Sequence, residues 1–154
     1  MTIQLKKADQ LSQKHIAELV DILNNDIKLI DRLGINKPMS DSEFVSKNKQ
    51  WMSDNHAEIF AITLDNEAIG LISLSKIDHE NQTARIGFWI TSKYWNKGYT
   101  SAAFSKILSL SKKQNIKEAF CSIPKDNKES QAIWRKFGAK FEERQDVVIP
   151  SIRL

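Results

Sequence analysis

Cysteine is almost absent from this chain, and the single one, Cys121, excludes an intrachain disulfide. It lies in the run Ala119-Phe120-Cys121-Ser122-Ile123, whose apolar character predicts a buried strand residue rather than a nucleophile. The absence of disulfides suits a reducing compartment, and a cytoplasmic location is expected. No apolar stretch approaches the roughly 20 residues that cross a bilayer. The opening MTIQLKKADQ also lacks a signal-peptide core, so no membrane partner is expected. Charge of one sign is scarce as well: 23 basic residues against 19 acidic ones leave a net charge of +4. That balance tolerates a small anionic ligand, and with no Arg-rich stripe or RNA-binding motif it disfavours a nucleic-acid or ribosome-associated module. Repeats, low-complexity linkers and a metal site are not read. What remains is 154 residues, 41% hydrophobic and 27% charged, expected to form one domain over 1–154 with a substantial core.

The most informative stretch that is present runs from Ala84 to Phe104, ARIGFWITSKYWNKGYTSAAF. An apolar, β-rich run (Ile86–Ile90) ends in a polar turn (Thr91–Lys93). The aromatic pair Tyr94-Trp95 follows, then Asn96-Lys97-Gly98-Tyr99-Thr100, then a small-residue helix start at Ser101. A strand, a tight turn and a helix N-terminus present unpaired backbone N–H groups and the positive end of a helix dipole to one small volume. Phosphates sit well in such a place. Gly98 lets the backbone approach a ligand without a Cβ in the way, and Lys97 adds a mobile charge. Taken alone, this is also an ordinary strand-to-helix connection.

A second stretch, Asn127-Lys128-Glu129-Ser130-Gln131-Ala132-Ile133-Trp134-Arg135-Lys136-Phe137-Gly138-Ala139, reads as a capped amphipathic helix. Asp126 or Asn127 supplies the N-cap, Ala132, Ile133, Trp134 and Phe137 the apolar face, and Gly138 the C-terminal stop. The two stretches in this order resemble the GNAT superfamily of acyl-CoA-dependent N-acyltransferases. Trp95–Thr100 is similar to its pyrophosphate motif [Q/R]-x-x-G-x-[G/A], with Trp for Gln/Arg and Thr for the last Gly/Ala. Asn127–Ala139 is similar to its late motif N-x-x-S-x-x-[apolar]-Y-x-K-x-G. The "YW-x-KGY" form resembles the branch that contains the ribosomal-protein N-terminal acetyltransferases. The resemblance covers roughly residues 57 to 141.

Periodicity and turn residues set the expected elements. Strands are read at Thr2–Lys6, Ile59–Leu64, Ala68–Ile77, Thr83–Ile90 and Lys117–Ile123, with one or two more in Lys140–Leu154 around Gln145-Asp146. Helices are read at Ser12–Asn24, from Ser40 to about Asp54, at Thr100–Gln114 and at Asn127–Phe137; Ile27–Pro38 is a short helix or a loop closed by the Pro. That order, β-α-α-β-β-β-α-β-α-β-β, is the order of the GNAT fold. The expected class is α+β, a mixed and mostly antiparallel sheet of six to seven strands flanked by about four helices. The resemblance further implies that Thr83–Ile90 and Lys117–Ile123 splay apart around the cofactor.

The activity it implies is acetyl transfer from acetyl-CoA directly to a primary amine, by a monomer or homodimer. The alternative is a CoA-binding module that has lost turnover. Backbone N–H groups of Asn96, Lys97, Gly98, Tyr99, Thr100 and Ser101, with Trp95, Asn127 and Ser130, would hold the cofactor, and those of Phe88, Trp89 and Ile90 would meet the thioester. Ser130 is read as the hydrogen-bond donor to the departing thiolate, or else as a small residue that permits close helix packing. Many relatives carry a base Glu where this chain has Arg85 and an acid Tyr where it has Trp134; neither replacement transfers protons usefully. Glu80, Asp78 and His79 in the preceding turn are nearby titratable groups. Trp51 and Arg85 are the residues assigned to the acceptor, Arg85 facing either an anionic acceptor or a salt-bridge partner at the surface.

Overall fold

The computed structural model describes residues 2–154. Its architecture follows from the alternation of side chains along the strands. In β2 (Glu58–Leu64), Phe60, Ile62 and Leu64 join one apolar cluster, while Ile59 and Ala61 join a second. A strand buried on both faces needs cover on both. Helices α4 (Tyr99–Lys113) and α5 (Lys128–Lys136) bring Phe104, Ile107 and Trp134 to the first cluster. Helices α1 (Gln13–Asn25), α2 (Ile27–Leu33) and α3 (Asp41–Asp54) bring Leu19, Leu29 and Phe44 to the second.

Each helix start follows from local chemistry. The Ser12 hydroxyl accepts from the His15 N–H, and Ser40 with Glu43 forms a reciprocal capping box. The helix at 128–136 is capped by the Asn127 side chain and closes through Gly138 (φ +81°), with Ala139 N–H reaching the Trp134 carbonyl and Gly138 N–H that of Arg135.

The sheet has the order β1-β2-β3-β4-β5-β8-β6, with β7 pairing the far edge of β8. Its strands are β1 (Ile3–Lys7), β2, β3 (Glu67–Asp78), β4 (Thr83–Ile90), β5 (Glu118–Phe120), β6 (Ile123–Pro124), β7 (Lys140–Glu143) and β8 (Val147–Arg153). All pairs are antiparallel except β4 with β5. The fold is therefore the expected mixed, mostly antiparallel sheet between helices, with two refinements. Ile27–Leu33 is a helix, and it stops at Gly34 (φ +70°) rather than at Pro38.

The expected strand Lys117–Ile123 is two pieces, and Pro150 gives the reason. Cys121 N–H donates to the Pro150 carbonyl, so these residues face each other. In an antiparallel pair the return bond would come from the N–H that proline lacks, and the ladder breaks there.

Only the first half of β4 has a neighbour on both sides. Thr83, Ala84 and Arg85 pair with Glu118, Ala119 and Phe120 of β5, and no later residue of β4 does. On its other side β4 stays paired with β3 through Ile90. Gly70 permits that contact, since a Cβ there would collide with the Trp89 carbonyl oxygen. The strands thus separate beyond Arg85 and leave an opening in the sheet.

Candidate functional site

The opening leads into a cavity of about 750 Å³ between α2, the end of β4, the start of α4 and the first turns of α5. Three kinds of group meet in it.

The first is the exposed edge of β4. Thr91 N–H donates to the Ile69 carbonyl on β3 at 2.8 Å. Backbone groups alternate in direction along a strand, so those of Phe88 and Ile90 point the other way, into the opening. The Trp95 indole, which reaches the Ile90 carbonyl at 2.9 Å, approaches from that side. With β5 ending its pairing at Arg85, the Phe88 and Ile90 N–H groups lie beyond the ladder.

The second is the turn into α4. Asn96 (φ +61°) and Gly98 (φ +84°) both adopt left-handed backbone, and Gly98 is the N-cap. Among the described residues nothing beyond its chain neighbours lies within 4 Å of the place a Gly98 Cβ would occupy, so the turn is open there. The first intrahelical bond runs from Ala102 N–H to the Gly98 carbonyl, which leaves the N–H groups at the helix start directed outward. Asn96, Gly98, Thr100 and Ser101 line the cavity. Lys97 is exposed beside them, and Tyr99 packs edge-on against Tyr94 with ring centroids 5.5 Å apart.

The third is the start of α5. Asn127 Oδ1 accepts from the Ser130 N–H at 3.2 Å, and both residues line the cavity with Lys128, Glu129, Ala132 and Ile133. The cap occupies the Asn127 oxygen, and its amide donors have no partner among the described residues. Trp134 is turned away. It is fully buried against Phe104, with ring centroids 5.0 Å apart, and its indole N–H has no partner among the described residues.

The structure therefore brings Phe88, Trp89, Ile90, Trp95, Asn96, Gly98, Thr100, Ser101, Asn127 and Ser130 to one cavity. Lys97, Tyr99, Arg85 and Trp51 lie outside its lining. Arg85 shares the Trp89 face of β4 and takes part in none of the three ion pairs among the described residues. Trp51 is 38% exposed on α3.

The sequence reading of Ile27–Pro38 as a short helix or a loop assigned no site residue to α2 (Ile27–Leu33). Leu29, Arg32 and Leu33 form the opposite wall, and the Arg32 guanidinium lies over the Trp95 ring, 4.3 Å from its centroid. The signal was present as an Asp cap before Ile27-Lys28-Leu29-Ile30 and a Gly after Leu33. Asp26 also fastens this wall to the other. Its carboxylate accepts from the Thr91 hydroxyl (2.8 Å), the Ser92 N–H (2.7 Å), the Ser92 hydroxyl (2.6 Å) and the Leu29 N–H (3.3 Å). Partial burial opposes its ionisation, but the Ser92, Thr91 and Leu29 bonds outweigh it and hold the carboxyl below its usual range.

Comparison with known proteins agrees with this geometry. The acetyltransferase (GNAT) domain matches residues 9–140. A ribosomal-protein-serine acetyltransferase of Escherichia coli (strain K12) is 34% identical over 53 residues, which are 34% of this chain and 30% of that protein. The match thus spans less than a third of that relative's length. Among solved structures, a ribosomal L7/L12 alpha-N-protein acetyltransferase in complex with coenzyme A superposes with a TM-score of 0.81 at 19% identity, over 100% of this chain and 95% of that one. The microcin C7 self-immunity acetyltransferase in complex with acetyl-CoA and AMP gives 0.81 at 24% identity, over 99% and 92%. Spermidine N-acetyltransferase from Vibrio cholerae, in complex with CoA and spermine, gives 0.78 at 18% identity, over 98% and 95%. At these identities the likeness establishes the fold.

Proposed function

This chain belongs to the GNAT acetyltransferase family, and from that premise we propose that it moves an acetyl group from acetyl-CoA directly to a primary amine. One observation carries the reading: a single cavity joins an open helix N-terminus to the unpaired edge of a strand and to Ser130. The residues fit the cofactor. The turn at Asn96–Ser101 offers convergent N–H donors with open space over Gly98, as a pyrophosphate requires. Lys97 and Lys128 flank it with positive charge. Acetyl-CoA supplies an activated thioester, whose carbonyl carbon is the point of attack for an amine.

The chain's own contribution is positioning and polarisation. The Phe88 and Ile90 N–H groups face the opening, where they would receive the negative charge that develops on the carbonyl oxygen. The Ser130 hydroxyl would donate to the departing thiolate, and the Asn127 amide would hold the cofactor beside it. The Arg85 guanidinium offers no acceptor for the amine's proton, and in this reading water carries that proton away. Arg85, on β4 beyond the lining, and Trp51, on α3, are left for the distal part of a long acceptor.

Titration calorimetry with acetyl-CoA, followed by thiol release over a panel of primary amines, tests the proposal. Absence of acetyl-CoA binding would sink it. A second reading, a CoA-binding module without turnover, is favoured by Arg85 at the position where relatives carry a base and by the burial of Trp134. Binding without thiol release on any amine would select that reading.

A further inference from the structure

Charge is unevenly distributed in the cavity. Its charged lining residues are Arg32 on α2 and Lys128 and Glu129 in the first turn of α5. The only carboxylate among them, Glu129, meets Arg32 across the cavity at 3.4 Å. Asp26 is nearby, but its oxygens are committed to Thr91, Ser92 and Leu29. Among the described lining residues no carboxylate is unpaired for a second ammonium group, as a polyamine acceptor prefers.

Arg32 has the opposite character. Its guanidinium lies over the Trp95 ring, and that ring is itself anchored by the indole N–H on the Ile90 carbonyl. Of its five N–H donors, only one has a partner among the described residues, through Nη2 to Glu129 Oε1. Both ends of that ion pair are exposed, 39% and 59% by side chain, so the pair is weak and readily exchanged. A stacked guanidinium with spare donors, beside the apolar Leu29, Leu33 and Trp89, is preorganised for a forked anion.

We propose that Arg32 determines acceptor specificity by binding an anionic group, a carboxylate or a phosphate, carried near the acceptor's amine and displacing Glu129. This rests on the acetyltransferase reading above. The acceptor class is then an acidic amine such as an amino acid, an acidic peptide end or an aminoalkyl phosphate, and polyamines are poor substrates.

The test compares kcat/KM for glycine, glycinamide, 2-aminoethyl phosphate and spermidine at saturating acetyl-CoA. The protein should prefer the anionic acceptors over glycinamide and spermidine, and the better of glycine and 2-aminoethyl phosphate identifies the anion. Arg32→Ala should reduce that preference about ten- to hundredfold, with acetyl-CoA affinity unchanged, and Arg32→Lys should restore only part of it. Glu129→Gln should move it the other way, raising kcat/KM for the anionic acceptors only. Spermidine equal to or better than the anionic acceptors overturns the proposal. So does an Arg32→Ala loss that is equal for glycine and glycinamide, or that appears as weaker acetyl-CoA binding.

A binding measurement keeps the question open to decision if no amine turns over. The CoA-saturated protein is titrated with N-acetylglycine and N-acetylglycinamide. Tighter binding of the acid, lost in Arg32→Ala, supports the anion site even though transfer has failed; equal binding overturns it.

Discussion

The two walls of the cavity meet a ligand with different parts of the chain. The wall made by the end of β4 and the turn into α4 presents backbone: N–H groups at Phe88 and Ile90 and at the α4 N-terminus. The α2 wall presents side chains, Leu29, Arg32 and Leu33. Backbone donors need a particular dihedral geometry, which few residue types satisfy, so this wall is held by left-handed turns at Asn96 and Gly98. Side-chain contacts are free to vary on the same helix. One wall is thus suited to a constant ligand, and the other to a ligand that differs between proteins of one fold.

The most damaging way to break the first wall is Gly98→Glu. Nothing crowds that position, so the side chain has room. Its left-handed backbone costs an L-residue about 1 kcal/mol, which the fold should bear. A carboxylate placed against the pyrophosphate costs several kcal/mol by like-charge repulsion. Acetyl-CoA binding should weaken at least about a hundredfold by calorimetry, on the scale of that repulsion, while circular dichroism stays native. Unchanged affinity would remove the cradle from the site.

Ser130→Ala asks whether the start of α5, the third group lining the cavity, acts in chemistry or only in binding. The backbone N–H of Ser130, not its hydroxyl, is the partner of the Asn127 cap, so the helix start survives the change. Loss of one hydrogen bond to the departing thiolate should lower kcat about tenfold, with acetyl-CoA affinity within about twofold. Equal losses in kcat and affinity would assign Ser130 to binding or packing.

The same contrast explains what the sequence disclosed. Gly98, the Asn127 cap and the Gly138 stop impose local backbone chemistry, and each is readable from neighbouring residues. β4 reads as a strand because Ile86–Ile90 is an apolar, β-rich run that ends in a polar turn. The splay does not read, because it depends on where β5 stops pairing, a long-range fact. Nor does the break at Cys121-Ser122, which is caused by Pro150 on another strand. The α2 wall was obscured for a further reason. Seven residues are too short for periodicity alone to separate a helix from a loop. Its stabilising contacts, Asp26 to Thr91 and Ser92, span 65 and 66 positions. Arg32 looks like any surface arginine until Trp95 and Glu129 are brought to it.

The smallest expected effect comes from the group that joins the walls. Asp26→Asn can keep one oxygen for the α2 cap and the Ser92 hydroxyl, but it removes the charge and puts an NH2 where the other carboxylate oxygen accepts from Thr91 and the Ser92 N–H. We expect a loss of about 1 kcal/mol, or roughly 2–4 °C in Tm for a chain of this size. The pH dependence has a definite sign. The folded carboxyl titrates below its ordinary value, so its stabilisation is complete above the unfolded pKa of about 4 and is lost as pH falls through the folded value. The Tm gap between the protein and Asp26→Asn should therefore be constant near neutrality and close below about pH 4. A gap that persists in acid would mean that the carboxylate's charge is not what holds α2. The kinetic consequence then separates the walls. If Asp26→Asn raises KM for the amine and leaves acetyl-CoA affinity alone, α2 moves independently of the cradle. If both shift together, the Asp26 bonds to Thr91 and Ser92 make the two walls one mechanical unit, and acceptor recognition is coupled to the geometry that holds the donor.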